Sequence, residues 1–158
     1  MNETAGRRRV AWTFVAAQFA LLGTIVLVPG GSAWPLPGWA STVALLTVWA
    51  ALALMVVAGL GLGRGLTAAP LPNAHAQLRT GGLYHYVRHP IYTGLLTFAV
   101  AEAVRSRSLV VAGCALALVV LIRFKAAWEE RRLAERFAGY PAYAARTPRF
   151  VPFGRGGR

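Results

Sequence analysis

WASTVALLTVWAALALMVVAGLGL, residues 39 to 62, carries no charged side chain. As a helix at about 1.5 Å per residue it reaches about 36 Å, enough to cross the hydrocarbon core of a bilayer. An uncharged apolar helix of that length sets the class: an all-α, integral membrane helical bundle. Composition agrees, since 56% of the 158 residues are hydrophobic and mean hydropathy is positive, well outside the range of soluble domains. The length fits a single membrane domain, residues 1–158.

On the N-terminal side of this stretch, residues 29–38 (PGGSAWPLPG) have the Pro and Gly density of a tight loop, with Trp34 and Trp39 where indoles favour the membrane interface. Before it, residues 10–28 (VAWTFVAAQFALLGTIVLV) form another run of spanning length behind a short polar head, MNETAGRRR. A signal peptide is the competing reading of this start, but the run is long for that role, and a second span follows it. Residues 1–62 thus read as two spans joined by an outer hairpin. Gly59 and Gly61 fit either close helix approach or fraying before a loop.

On the C-terminal side, residues 63–79 (GRGLTAAPLPNAHAQLR) show no helical or strand period. A connection this long is commonly functional. His75 within it reads as a solvated loop residue, and no His, Cys, Asp or Glu spacing suggests a metal site. Beyond residue 90, two apolar runs, 91–104 and 109–122, flank Arg105-Ser-Arg-Ser and predict a helical hairpin. Each is about 21 Å long as a helix, so the hairpin either spans by snorkelling Arg105 and Arg107 to the outer interface or stops short of it. Glu102 is expected to pair with Arg105 at i,i+3. The last helix continues into a basic tail, giving about four membrane-embedded helices, with residues 63–153 as the core after the two spans and 154–158 as a basic end.

Seventeen Lys and Arg against five acids give a net charge of +12. These bases flank apolar runs, which is the signature of cytoplasmic membrane edges, so no nucleic-acid partner is expected. Arg7 to Arg9, Arg64, Arg79, Arg88 and the tail all fall on one side, while the first outer loop has none. The expected arrangement is a multi-pass protein of the cytoplasmic membrane with both termini cytoplasmic; Arg105 and Arg107 are the exception. Cys114, the one cysteine, excludes an internal disulfide.

Residues 81–94, GGLYHYVRHPIYTG, concentrate histidine, tyrosine and proline at the edge of an apolar run. They are the candidate active-site segment, although Tyr84, Tyr86 and Tyr92 also fit an aromatic belt. Pro90 suits a first helical turn, where its missing N–H costs nothing. In the tail, helical arithmetic at about 100° per residue puts Glu130 on the face of Arg123, Leu133 and Phe137. Glu129 lines up instead with Lys125, Arg132 and Arg136, as a solvated salt-bridge face would. An acid on an apolar stripe, as Glu130 is, either is partly buried and paired or faces a site.

The run LTAAPLPNAHAQLRTGGLYHYVRHPIYTG, then a hairpin, then EERRLAERFAGYPAYAARTPRFVP resembles the isoprenylcysteine carboxyl methyltransferase and phospholipid methyltransferase group of membrane enzymes over residues 66–153. The resemblance implies S-adenosylmethionine as cofactor and a lipophilic small-molecule or lipid acceptor (a carboxylate, amine or thiol) reached from the membrane lipids. It aligns Arg88, His89, Tyr92 and Gly94 with the family's cofactor block, and Glu129 and Glu130 with its acidic pair. The cofactor's own chemistry then assigns Glu130 to the ammonium, Arg123 or Arg88 to the carboxylate, and Tyr92 with His89 to the adenosine. Arg88, His89 and Glu130 are the expected catalytic residues; Tyr84, Tyr86 and Tyr143 are the expected substrate contacts. The chain departs from the pattern at Leu83, His85 and Gly139, on the substrate side. A nicotinamide-dependent membrane reductase and a non-catalytic scaffold are the alternatives.

Overall fold

The computed structural model describes residues 2–67, 69, 71 and 77–152. These form six α-helices and no strand: α1 (Asn2–Leu27), α2 (Gly38–Leu62), α3 (Leu83–Tyr86), α4 (Pro90–Ser106), α5 (Leu109–Arg136) and α6 (Tyr140–Arg146), with a 3₁₀ turn at Gly63–Gly65. His75 and the basic end 154–158 lie outside the described residues.

Three helices, α1, α2 and α5, are long and apolar enough to cross a membrane. The fourth expected helix, α4, has 17 residues, about 25 Å, which falls short of a full hydrocarbon core. It is nevertheless central, packing against α2, α5 and α1. The core holds Ile25 from α1, Leu95, Ala99 and Ala103 from α4, and Val111, Ala115, Leu118 and Ile122 from α5. Outward, Phe19, Leu46, Trp49, Leu116 and Phe124 are all more than half exposed. A face this apolar on every long helix is a lipid-facing girdle, and the protein is a multi-pass membrane protein.

Small residues bring α2 and α4 together, as membrane helices require in the absence of a hydrophobic driving force between them. On α2 the buried positions Ala44, Val48, Ala51 and Ala58 recur at steps of four, three and seven residues, along one face. Against this face sits Gly94, where a Cβ would lie 2.6 Å from Met55 Cγ and 2.9 Å from the Ala51 carbonyl oxygen. Gly94 therefore serves helix packing, since the absence of its side chain lets another part of the chain come close. Gly94→Ala is expected to overpack this seam and destabilise the protein by about 1–3 kcal/mol, read as a lower melting temperature in detergent. Gly59 and Gly61 make no comparable demand, since a Cβ there would meet only side-chain atoms at 3.6 Å.

The loop after α1 is fastened to the α4–α5 turn. Gly31 N–H donates to the Ser106 carbonyl at 2.7 Å, and Ala33 N–H to that of Arg107 at 3.0 Å. A Cβ on Gly31 would lie 2.8 Å from the Arg107 carbonyl oxygen, so backbone meets backbone where only glycine fits. Arg107, left-handed at φ 53°, folds its Nε onto the Trp34 carbonyl at 2.7 Å. Arg105 grips Glu102 through two hydrogen bonds, 2.9 and 2.5 Å, the i,i+3 pair anticipated from sequence.

At the other end the polar head is helical, since α1 begins at Asn2. Its arginines are good helix formers, and Arg7 Nη1 reaches Glu135 Oε2 near the end of α5 at 3.2 Å. The N-terminal turns of α1 and the last turns of α5 therefore lie at the same end of the bundle. The hairpin helices are unequal, because α5 has 28 residues and runs several turns past the start of α4.

Candidate active site

Val87 to Pro90 is where the chain leaves α3 and enters α4, with Pro90 in the first turn of α4 and His89 at its N-cap position. The segment after α6 lies along it. Arg88 N–H donates to the Pro148 carbonyl at 2.9 Å and His89 N–H to that of Arg149 at 3.1 Å. One turn into α4, Thr93 Oγ1 donates to the Phe150 carbonyl at 2.7 Å. Backbone groups that a helix start leaves unpaired are thereby satisfied by the tail.

Glu130 locks this junction. Its Oε1 accepts from Arg88 Nε and Arg149 Nε, each at 3.0 Å, and its Oε2 from Arg149 Nη2 at 2.6 Å. His89 Nε2 stands 3.0 Å from the same Oε1. An ionised carboxylate only accepts, so this ring nitrogen carries the proton. Arg88 also donates through Nη1 to the carbonyls of Ala144 and Thr147, both at 2.6 Å, closing the end of α6. The bond to Glu130 raises the pKa of the Arg149 guanidinium above its ordinary value.

A cavity of about 380 Å³ opens beside this junction, the size class of small-molecule sites. Its walls come from Gln18 of α1, the end of α2 and the loop after it, Tyr84 of α3, Arg88 to Tyr92, Lys125, Glu129 and Leu133 of α5, and Tyr140 and Tyr143 of α6. His89 stacks on Tyr92, ring centroids 5.3 Å apart and 15° from parallel. Tyr92 donates its hydroxyl to Glu129 Oε2 at 2.7 Å. Lys125 Nζ lies 5.2 Å from the centre of the Tyr92 ring and donates to Gln18 Oε1 at 2.7 Å.

Burial pushes three tyrosine hydroxyls, Tyr84 of α3 and Tyr140 and Tyr143 of α6, above their ordinary value. Burial raises the Tyr84 hydroxyl, reinforced by the Glu129 charge, and burial lifts Tyr143 to about 12 despite the opposing pull of Arg88. Tyr84 donates to the Ala58 carbonyl at 3.2 Å and Tyr143 to that of Tyr84 at 2.5 Å. Tyr140 is also raised by burial, and its buried hydroxyl has no hydrogen-bond partner among the described residues.

Of the residues singled out from sequence, Arg88, His89, Tyr92, Glu129, Tyr84 and Tyr143 meet on the cavity wall; Glu130, Arg123, Gly94 and Tyr86 do not. The two acids have exchanged surroundings. Glu130, expected to hold a ligand ammonium, has its oxygens taken by Arg88, His89 and Arg149. Glu129, which its spacing put on a solvated face and the resemblance put in the acidic pair of the cofactor site, is turned into the cavity, while Arg132 pairs with Glu135 at 2.6 Å and lies over Trp128. Arg123 is exposed, two residues before Lys125 and so on another side of α5. Tyr86 is 56% exposed and only meets His85 edge-on.

Lys125, Gln18, Tyr140 and Arg149 were not singled out as site residues. For Gln18 a signal existed, since it is the one amide in the apolar run 10–28, and a polar group there is costly enough to mark a function.

These features define a class: a membrane helical bundle with a small-molecule cavity at the polar end of its hairpin. Within that class, the family model described as phospholipid methyltransferase matches residues 39–139, and the chain belongs to this family. The match takes in nearly all of α2, the helix that packs on Gly94. Over its full length the chain also has the fold of a solved structure, the eukaryotic intramembrane Ras methyltransferase isoprenylcysteine carboxyl methyltransferase, with a TM-score of 0.68 and 18% identity. The chain spans 56% of that protein's length. No curated protein matches the sequence.

Proposed function

We propose that the protein is an S-adenosylmethionine-dependent methyltransferase that modifies a lipophilic acceptor at the cytoplasmic membrane interface. The observation that carries this reading is the cavity, where one carboxylate, Glu129, stands among stacked aromatic faces beside the junction that Glu130 locks. Bound there, S-adenosylmethionine supplies a methyl group activated by its sulfonium. The residues present fit such a ligand. Glu129 receives the ammonium, the His89–Tyr92 stack and Tyr84 offer flat surfaces to the adenosine and the sulfonium, and the buried Tyr140 hydroxyl gains a partner. Arg88 and Glu130 act as positioning residues that fix His89 and the start of α4.

Alignment and exclusion of water supply most of the acceleration, effects worth about 7–11 kcal/mol in well-oriented reactions. Leu62, Leu66, Leu71, Ile91 and Leu133 give the cavity an apolar side that suits an acceptor arriving from the lipid. The protein acts as one membrane domain, with residues 63–153 carrying the core motifs. The Arg7–Glu135 pair joins the basic head to the cavity end, and the basic residues gathered there are what support a cytoplasmic location for both termini.

The test is calorimetry on detergent-purified protein, followed by labelled methyl transfer to prenylcysteine analogues and phosphatidylethanolamine. S-adenosylhomocysteine is expected to bind and NADPH not to. Binding of NADPH alone would support the reductase alternative, and binding of neither the scaffold.

A further inference from the structure

We infer that Lys125 and Gln18 form a carboxylate-binding pole of the cavity, which with Glu129 recognises the zwitterionic amino-acid head of the methyl donor. This rests on the cofactor reading above and adds the position of the ligand's α-carboxylate, for which the sequence pointed to Arg123 or Arg88. Arg123 is exposed, and Arg88 is committed through Nε to Glu130 and through Nη1 to Ala144 and Thr147.

Lys125 is 2% exposed, the foremost of the fully buried side chains, and lies on the cavity wall. A cation so placed is costly unless its donors are used. Among its partners is Gln18 Oε1, which accepts from Nζ at 2.7 Å. Because an ammonium only donates, this bond fixes the amide with its oxygen toward Lys125 and its two N–H donors turned away from it. Gln18 and Lys125 both line the cavity wall.

Lys125 and Glu129 stand one helical turn apart, which puts their Cβ atoms about 5–6 Å from each other. An α-amino acid carries its ammonium and carboxylate on a single carbon, so this pair offers each charge an opposite one within reach of the same ligand. An ordinary i,i+4 ion pair leaves unexplained why each member is held by a polar group from a different helix, Lys125 by Gln18 of α1 and Glu129 by Tyr92 of α4. Those bonds hold the two charges aimed from fixed directions, as preorganised recognition of a zwitterion requires.

The test uses two probes on the detergent-purified full chain: S-adenosylhomocysteine, and S-adenosyl-3-thiopropylamine, which keeps the ammonium and lacks the carboxylate. Wild type is expected to prefer the first by about 10- to 100-fold, the range of a charge-assisted contact. In Lys125→Met the preference is expected to fall to about twofold or less, with Gln18→Leu intermediate and Lys125→Arg partly restored. A wild type with no preference, or a Lys125→Met variant that keeps it, overturns the inference alone. Failure of wild type to bind either probe overturns the cofactor reading as well. If Lys125→Met does not fold, Gln18→Leu decides: an undiminished preference overturns the inference.

Discussion

Replacing Glu130 with alanine is expected to lower the melting temperature of the detergent-purified protein by about 6–20 °C. The carboxylate accepts from Arg88 and Arg149 and meets His89, and the side chains of Arg88 and His89 are only 5% and 6% exposed. Removing one member of a buried ion pair leaves the other charge uncompensated, at about 3–5 kcal/mol. At this chain length each kcal/mol moves the midpoint by about 2–4 °C. Glu130→Gln, which keeps the shape and one acceptor, should fall between. Glu102→Ala is the control, because its pair with Arg105 sits at the other end of the hairpin, with Arg105 43% exposed, and should shift the midpoint little. A Glu130→Ala protein that melts like wild type would remove the locking role.

Glu129→Ala is expected to do the reverse. Its bond to Tyr92 is one contact on a cavity wall, so the midpoint should stay within about 3 °C of wild type, while the affinity for S-adenosylhomocysteine falls about 10- to 100-fold. Isothermal calorimetry beside a melting curve separates the two variants. If both lose affinity equally with both folds intact, the division between a locking acid and a binding acid fails.

That division was out of reach of helical arithmetic, and the reason is physical. Spacing along α5 sets Glu129 with Lys125, and both line the cavity, but it says nothing about which face a neighbour covers. The covering chain comes from far away: Arg149 follows α6, and Gln18 lies in the first span. Glu130 was recognisable as an acid on an apolar stripe, either paired or facing a site, and pairing is what the structure shows. Glu129 looked like a surface acid because Arg132 and Arg136 follow it at helical spacing. Arg132 instead closes on Glu135, leaving Glu129 to Tyr92.

The spans themselves were legible because hydrophobic length is local information. Residues 39–62 became α2 almost to the residue, and the hairpin turn fell at Arg107 as expected. The helical state of the N-terminal head was less so, since its contact with Glu135 is remote in sequence. Gly94 lies inside the motif aligned with the cofactor block, and the close approach it makes is to another part of the chain, the backbone of α2.

The unequal arms of the hairpin have a consequence for traffic. Because α4 starts level with the cavity while α5 continues past it, the Lys125–Glu129–Leu133 stripe runs from the edge of the lipid-embedded bundle toward the aqueous side. A polar nucleotide-like reagent and an oily one share no common solvent, and either would be nearly insoluble in the phase of the other. In the proposed reaction a site at this step would meet each in its own medium, as a phase-transfer catalyst does, and neither reagent would have to cross the bilayer to reach its partner.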